Sequence, residues 1–67
     1  GEYSHIAPNV TLGGGVSIGK QCLIGAGSVI LPNVTIGDFS IIGAGSIVIN
    51  DVSEGLIMAG NPAREIG

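Results

Sequence analysis

Every sixth residue from Ile6 to Val48 is aliphatic: Ile6, Leu12, Ile18, Ile24, Ile30, Ile36, Ile42 and Val48. Few folds accept that period. Cut at those residues, the chain reads IAPNVT, LGGGVS, IGKQCL, IGAGSV, ILPNVT, IGDFSI, IGAGSI and VINDVS. The fifth place is always small or β-branched, and the second is Gly in five of the eight blocks. A helix would need apolar residues at a spacing of 3.6, and this much Gly would cost a helix about 1 kcal/mol per residue. A hairpin sheet would need tight-turn pairs such as Asn-Gly or Asp-Gly, and the chain has neither. A short strand and a corner in every six residues make a parallel β-solenoid. The first place then points into the core from the middle of a side, and the fifth points in near the corner. Gly in the second place is expected to relax the backbone at the bend.

"IGAGSVI" at 24–30 returns as "IGAGSIV" at 42–48. Three sixes make one turn of a triangular coil, so residues eighteen apart stack at the inter-strand spacing of ~4.8 Å. One side stacks Ile18 on Ile36, a second Ile6, Ile24 and Ile42, and a third Leu12, Ile30 and Val48. Val16, Val34 and Val52 are expected to form one corner column, and Ser4, Cys22 and Ser40 another. Glu2, Lys20 and Asp38 are expected in an outward column of alternating charge that occupies Lys20. Tyr3 and Phe39 share an outward column with Gln21 between them, as subunit-contact or corner-packing residues. The frame fails after Ser53, which sets a solenoid at 1–53 and a closing loop and tail at 54–67. The fold expected is all-β, a triangular solenoid of about three coils with a short C-terminal tail.

With 67 residues the chain is at most one domain, near the lower limit for an unaided core. Lys20 and Arg64 are its only basic side chains against a formal net charge of −3, too few for the basic face that nucleic-acid binding needs. No apolar run approaches the ~20 residues of a membrane span. The start, "GEYSHIAPN", has no signal-peptide pattern, and a lone Cys22 forms no internal disulfide. These features make a cytoplasmic protein the default.

The "IGAGS" blocks, "VINDV", the closing "AGNPAREI" and the opening "GEYSHIAPNVTLGGGVSIGKQCLIGAGSVILPNVTIGD" resemble the hexapeptide-repeat acyltransferases, and within them the C-terminal solenoid of bacterial sugar O- and N-acetyltransferases of the sialic acid and acetylbacillosamine type. The resemblance implies a left-handed coil, acetyl-CoA as cosubstrate, a sugar or nucleotide-sugar acceptor, and homotrimers with sites between subunits. In that group an N-terminal sugar-binding domain precedes the solenoid. The catalytic histidine falls about nine residues ahead of the position of His5. The expectation is therefore a fragment or reduced form, inactive or poorly active alone. A non-catalytic, self-assembling solenoid is the alternative. The γ-class carbonic anhydrases share the solenoid but need three histidine ligands for zinc, and His5 is the only histidine. No metal is implied.

Site candidates follow from the same resemblance. His5 is expected at a corner, either as an exposed histidine or beside the acyl group, where an imidazole could orient the acetyl group or accept a proton. Gly14, inside the Gly13–Gly15 run, is a relaxed corner or an N–H donor to the thioester oxyanion. Gly25–Ala26 and Gly43–Ala44 stack one coil apart, with side chains small enough for a pantetheine arm to reach the backbone. Asn61 and Pro62 close a turn that the resemblance puts against adenine. Arg64 suits a phosphate, because its guanidinium is permanently charged and can bind bidentately.

Overall fold

Two-residue strands alternate with four-residue corners in the computed structural model, which describes residues 2–67. The strands are β1 (His5–Ile6), β2 (Thr11–Leu12), β3 (Ser17–Ile18), β4 (Leu23–Ile24), β5 (Val29–Ile30), β6 (Thr35–Ile36), β7 (Ile41–Ile42) and β8 (Ile47–Val48), followed by β9 (Ile57–Gly60) and β10 (Ala63–Glu65). The first side is the parallel stack β1-β4-β7-β9, to which β10 adds antiparallel; the second is β2-β5-β8; the third is β3-β6. Ile6 pairs with Ile24 and Ile24 with Ile42, Leu12 with Ile30 and Ile30 with Val48, and Ile18 with Ile36, all eighteen apart. The first corner follows the first side (7–10, 25–28, 43–46), and the second and third corners follow in turn.

First-place side chains fill the axis. Ile24, Ile30, Ile36, Ile42 and Val48 are buried, while Ile6 and Leu12 of the top coil remain 42% and 43% exposed. The polar fifth places are satisfied across coils. Ser4 Oγ donates to the Gly19 carbonyl at 2.7 Å, Ser28 Oγ to Gly43 at 2.9 Å, and Cys22 Sγ to Gly37 at 3.1 Å, each fifteen residues on. A buried hydroxyl without a partner would cost about 1–3 kcal/mol.

Second-place glycines do not relax the bend as expected. The left-handed conformation belongs to the fourth place, at Tyr3, Asn9, Gly15, Gln21, Gly27, Asn33, Phe39 and Gly45, with φ between 54° and 75°. What the second place needs is room between coils. A Cβ on Gly13 would lie 2.5 Å from the Pro32 nitrogen, and one on Gly25 would lie 2.5 Å from that of Ala44. The first and second corners fill the fourth place with Gly or Asn, the residues that tolerate left-handed backbone. The third corner uses Tyr3, Gln21 and Phe39, at ~1–2 kcal/mol of backbone cost each. Tyr3 and Phe39 point to solvent, 81% and 46% exposed.

The frame breaks earlier than Ser53 and then resumes. Ile36 pairs with Val52, sixteen residues on, so the second corner loses two residues on its last pass. Val52 therefore stacks beneath Ile36, not in a Val16–Val34 column. Asp51, fourth in the sequence frame, has no left-handed φ. Its Oδ1 accepts from the Thr35 N–H at 2.8 Å. In the coil above, the matching N–H of Ser17 donates to the Val34 carbonyl at 3.0 Å, so the Asp51 carboxylate takes the place of a backbone carbonyl. From Val52 the chain reads VSEGLI as one more block, with Gly55 left-handed at φ 75° in the fourth place. Ile57 and Met58 then pair with Ile41 and Ile42, so strand pairing continues past Ser53. Ser40 Oγ marks the same loss: it donates to the Ser53 carbonyl thirteen residues on, at 3.0 Å.

Candidate functional site

The first corner gathers most of the expected cofactor residues on one edge. Gly25 and Gly43 donate into the coil below, to the carbonyls of Ile42 at 2.7 Å and Met58 at 2.8 Å. Ala26 and Ala44, the next residue in each coil, are exposed, and among the described residues their N–H groups donate to no protein acceptor. The edge therefore presents free amides one coil apart, with methyl groups as the only side chains.

The closing hairpin completes this edge. The Gly60 N–H donates to Ser46 Oγ at 3.3 Å, while Ser46 Oγ donates to the Gly43 carbonyl at 2.6 Å. Ser46 thus ties the Gly60–Asn61–Pro62 turn under Ala44. Behind the turn β10 returns along β9, with Arg64 opposite Ala59. Arg64 is exposed on that outermost strand.

His5 and Gly14 lie elsewhere. His5 is not at a corner: it is in β1, exposed on the outer face of the first side, above Leu23 in register. Gly14 is on the second corner, which stands opposite the first side in a triangular section. Its N–H donates to no acceptor among the described residues, and a Cβ there would meet nothing within 4 Å. One chain therefore brings Gly25, Ala26, Gly43, Ala44, Asn61 and Pro62 together, with Arg64 on the adjoining strand, and leaves Gly14 on a different edge.

Glu2, Lys20 and Asp38 stack in one column as expected, but the Lys20 ammonium lies over an aromatic ring. Asp38 Oδ1 accepts from the Lys20 backbone N–H at 2.9 Å, and the Lys20 ammonium stands 5.8 Å from the Phe39 ring centroid. The sequence pattern placed Lys20 against carboxylates because it counted charges by column and gave the aromatic ring no part. Among the described residues no group of three or more His, Cys, Asp or Glu could hold a metal ion, and no helix is long and apolar enough to cross a membrane.

A parallel solenoid of six-residue blocks, with free amides along one corner and a hairpin tied beneath it, has the architecture of the hexapeptide transferases. The chain belongs to that family: the bacterial transferase hexapeptide (six repeats) profile matches residues 1–31 and 15–50. It is similar to PerB from Caulobacter crescentus, solved in complex with CoA and GDP-perosamine, at 40% identity and a TM-score of 0.92 over 94% of this chain and 30% of that one. The acetyltransferase domain of PglB from Neisseria gonorrhoeae FA1090, solved with acetyl coenzyme A, is 34% identical with a TM-score of 0.94 over 96% of this chain and 31% of that one. A maltose O-acetyltransferase from Clostridium difficile 630 is 36% identical with a TM-score of 0.89 over 94% of this chain and 43% of that one. The chain thus spans well under half the length of these solved proteins. They are left-handed β-helix transferases, and superposition at such scores requires the same hand.

Proposed function

We propose that the chain is the cosubstrate-binding solenoid of an acetyl-CoA-dependent O- or N-acetyltransferase acting on a sugar or nucleotide-sugar, working as a homotrimer with its sites between subunits. The observation that carries this reading is the first-corner edge, where the free amides of Ala26 and Ala44 line up over the Asn61–Pro62 turn. Pantetheine carbonyls accept from those amides, the adenine end rests on the turn, and Arg64 meets the 3′-phosphate. The acceptor hydroxyl or amine attacks the thioester carbonyl and loses its proton to a base. The Gly14 N–H holds the oxyanion, a contact worth ~2.7–4 kcal/mol of barrier where such donors have been removed. Collapse of the tetrahedral intermediate expels CoA thiolate, which takes a proton. His5 lies against the acyl group. The split between Gly14 and the first corner supports a site completed by a second copy.

Titration calorimetry with CoA and dephospho-CoA tests the reading. Wild-type protein is expected to bind CoA more tightly, and Arg64→Ala to remove most of that difference while leaving dephospho-CoA affinity within about twofold. Equal losses for both ligands would take Arg64 off the phosphate. No heat with either ligand would return the chain to a non-catalytic solenoid.

A further inference from the structure

The two exposed amides of the first corner differ in what stands behind them. Ala26 and Ala44 sit in the same pentapeptide, Ile-Gly-Ala-Gly-Ser, at 24–28 and 42–46. The peptide that carries each N–H also carries the carbonyl of the preceding glycine, and in a trans peptide the two point opposite ways. The Gly43 carbonyl accepts from Ser28 Oγ at 2.9 Å and from Ser46 Oγ at 2.6 Å. Both serines are fully buried. Their hydroxyls take up both lone pairs of that oxygen and hold it toward the core, so the Ala44 N–H is held toward solvent. Among the described residues the Gly25 carbonyl accepts only from the Ser28 N–H, at 3.3 Å. Fifteen residues ahead of Gly25, where Ser28 stands for Gly43, the chain places Val10.

The third corner contains the same device with its outer end filled. Ser4 Oγ donates to the Gly19 carbonyl at 2.7 Å, again fifteen residues on, and the Lys20 N–H of that peptide donates to Asp38 Oδ1 at 2.9 Å. A serine-backed peptide there gives its N–H to a carboxylate oxygen eighteen residues further along. At the first corner the residue eighteen beyond Ala44 is Pro62, whose side chain has no acceptor. The donor is built in the same way, and the oxygen that would meet it is not supplied by this chain.

We propose that Ser28 is a positioning residue for the cosubstrate, acting through the Gly43–Ala44 peptide and not by contact with the ligand. This rests on the first corner being the cosubstrate edge, and it ranks the two amides there: Ala44 is the stronger donor to a carbonyl of the pantetheine arm, and Ala26 the weaker. Two effects produce the ranking. Hydrogen bonds to a carbonyl polarise its peptide and strengthen the attached N–H as a donor, by ~10–30% per bond. The paired hydroxyls also fix the direction of the N–H before a ligand arrives, so less freedom is lost on binding. Ser46 supplies the second hydroxyl but is committed to the hairpin as well, through the Gly60 N–H. Ser28 makes no hydrogen bond to the hairpin among the described residues, so it isolates the effect on the peptide.

The test compares Ser28→Val with Ser28→Thr on the full chain, since the two side chains share a shape and differ in the hydroxyl. Valine already holds the fifth place of this corner at Val10, so both are expected to fold. Ser40→Ala is the control, because Ser40 is as deeply buried and donates to the Ser53 carbonyl at another corner. In the ligand-free protein the Ala44 amide nitrogen is expected to resonate downfield of the Ala26 nitrogen, which has the same sequence neighbours. Ser28→Val is expected to move it upfield and Ser28→Thr to leave it in place. In calorimetry with CoA, Ser28→Val is expected to weaken binding ~3- to 10-fold, the worth of one hydrogen bond, with Ser28→Thr and Ser40→Ala within ~twofold of wild type. Should Ser28→Val unfold, Ser28→Cys carries the weaker thiol donor that Cys22 uses toward Gly37, and it is expected to change both readouts in the same direction by less. An Ala44 nitrogen indifferent to Ser28, wild-type affinity without the hydroxyl, or an equal loss in Ser28→Thr or Ser40→Ala would overturn the inference. CoA bound equally by wild type and Ser28→Val contradicts this inference alone, whereas wild type that binds no CoA contradicts the proposed function and this inference with it.

Discussion

The second corner is passed three times, and the last pass differs from the first two. At 13–16 and 31–34 the chain spends six residues per block and holds a left-handed residue, Gly15 or Asn33. At 49–52 it spends four, drops the left-handed residue, and substitutes the Asp51 carboxylate for a backbone carbonyl under Thr35. The regular pass is held by close backbone stacking, which is why Gly13 admits no side chain above Pro32. Leu31, at the same place one coil down, carries a full side chain because the pass below it has contracted. The same six-residue code thus gives two solutions, one set by steric exclusion and one by a side-chain hydrogen bond.

The largest expected effect breaks the first solution. Gly13→Ala puts a Cβ 2.5 Å from the Pro32 nitrogen, and overpacking against backbone of this kind costs about 3 kcal/mol. Leu31→Ala, at the equivalent place above the contracted pass, is expected to cost about 1 kcal/mol or less, since Leu31 is an exposed side chain. Urea unfolding of the two variants reads the difference, and equal losses would remove the steric account.

The next effect breaks the second solution. Asp51→Ala leaves the Thr35 N–H without its acceptor and is expected to lose about 2 kcal/mol, the range for hydrogen bonds to charged groups. Asp51→Asn keeps an oxygen at Oδ1 and is expected to lose less than half of that. Thermal unfolding measures both. A harmless Asp51→Ala would mean that the contraction is held by Val52 in the core.

The smallest effect sharpens the contrast between corners. Phe39→Asn gives the third corner the residue type that the second corner holds at Asn33. It is expected to raise stability by roughly 0.5–1 kcal/mol through relief of left-handed strain. The measurement belongs at a dilution where the proposed trimer has dissociated. A loss there would show that Phe39 packs within its own chain.

The side pairings and the buried aliphatics were legible in the sequence, because a period of six with branched residues in the first place leaves one way to stack. The contraction was not read, although Gly55 carried its signal: shifting the frame by two after Val48 puts that Gly in the fourth place, as at 15, 27 and 45. The fourth place itself was overlooked because Tyr3, Gln21 and Phe39 are not residues that announce left-handed backbone. At the site, Gly25–Ala26 and Gly43–Ala44 were legible as one column. The role of Ser46 in tying the hairpin beneath them was not, since a fifth-place serine reads only as a small core residue. The separation of Gly14 from that column is a consequence of the triangular section, and a linear motif does not display it.

The proposed function requires the first corner to be the cosubstrate edge. Amide chemical-shift mapping during a CoA titration tests this directly, since Ala26 and Ala44 carry N–H groups that no protein acceptor takes up among the described residues. Those two amides, with Gly60 at the hairpin, are predicted to show the largest shifts and to slow in hydrogen exchange. Saturating CoA that leaves Ala26 and Ala44 unchanged while shifting Val29 and Ile47 on the second side would contradict it.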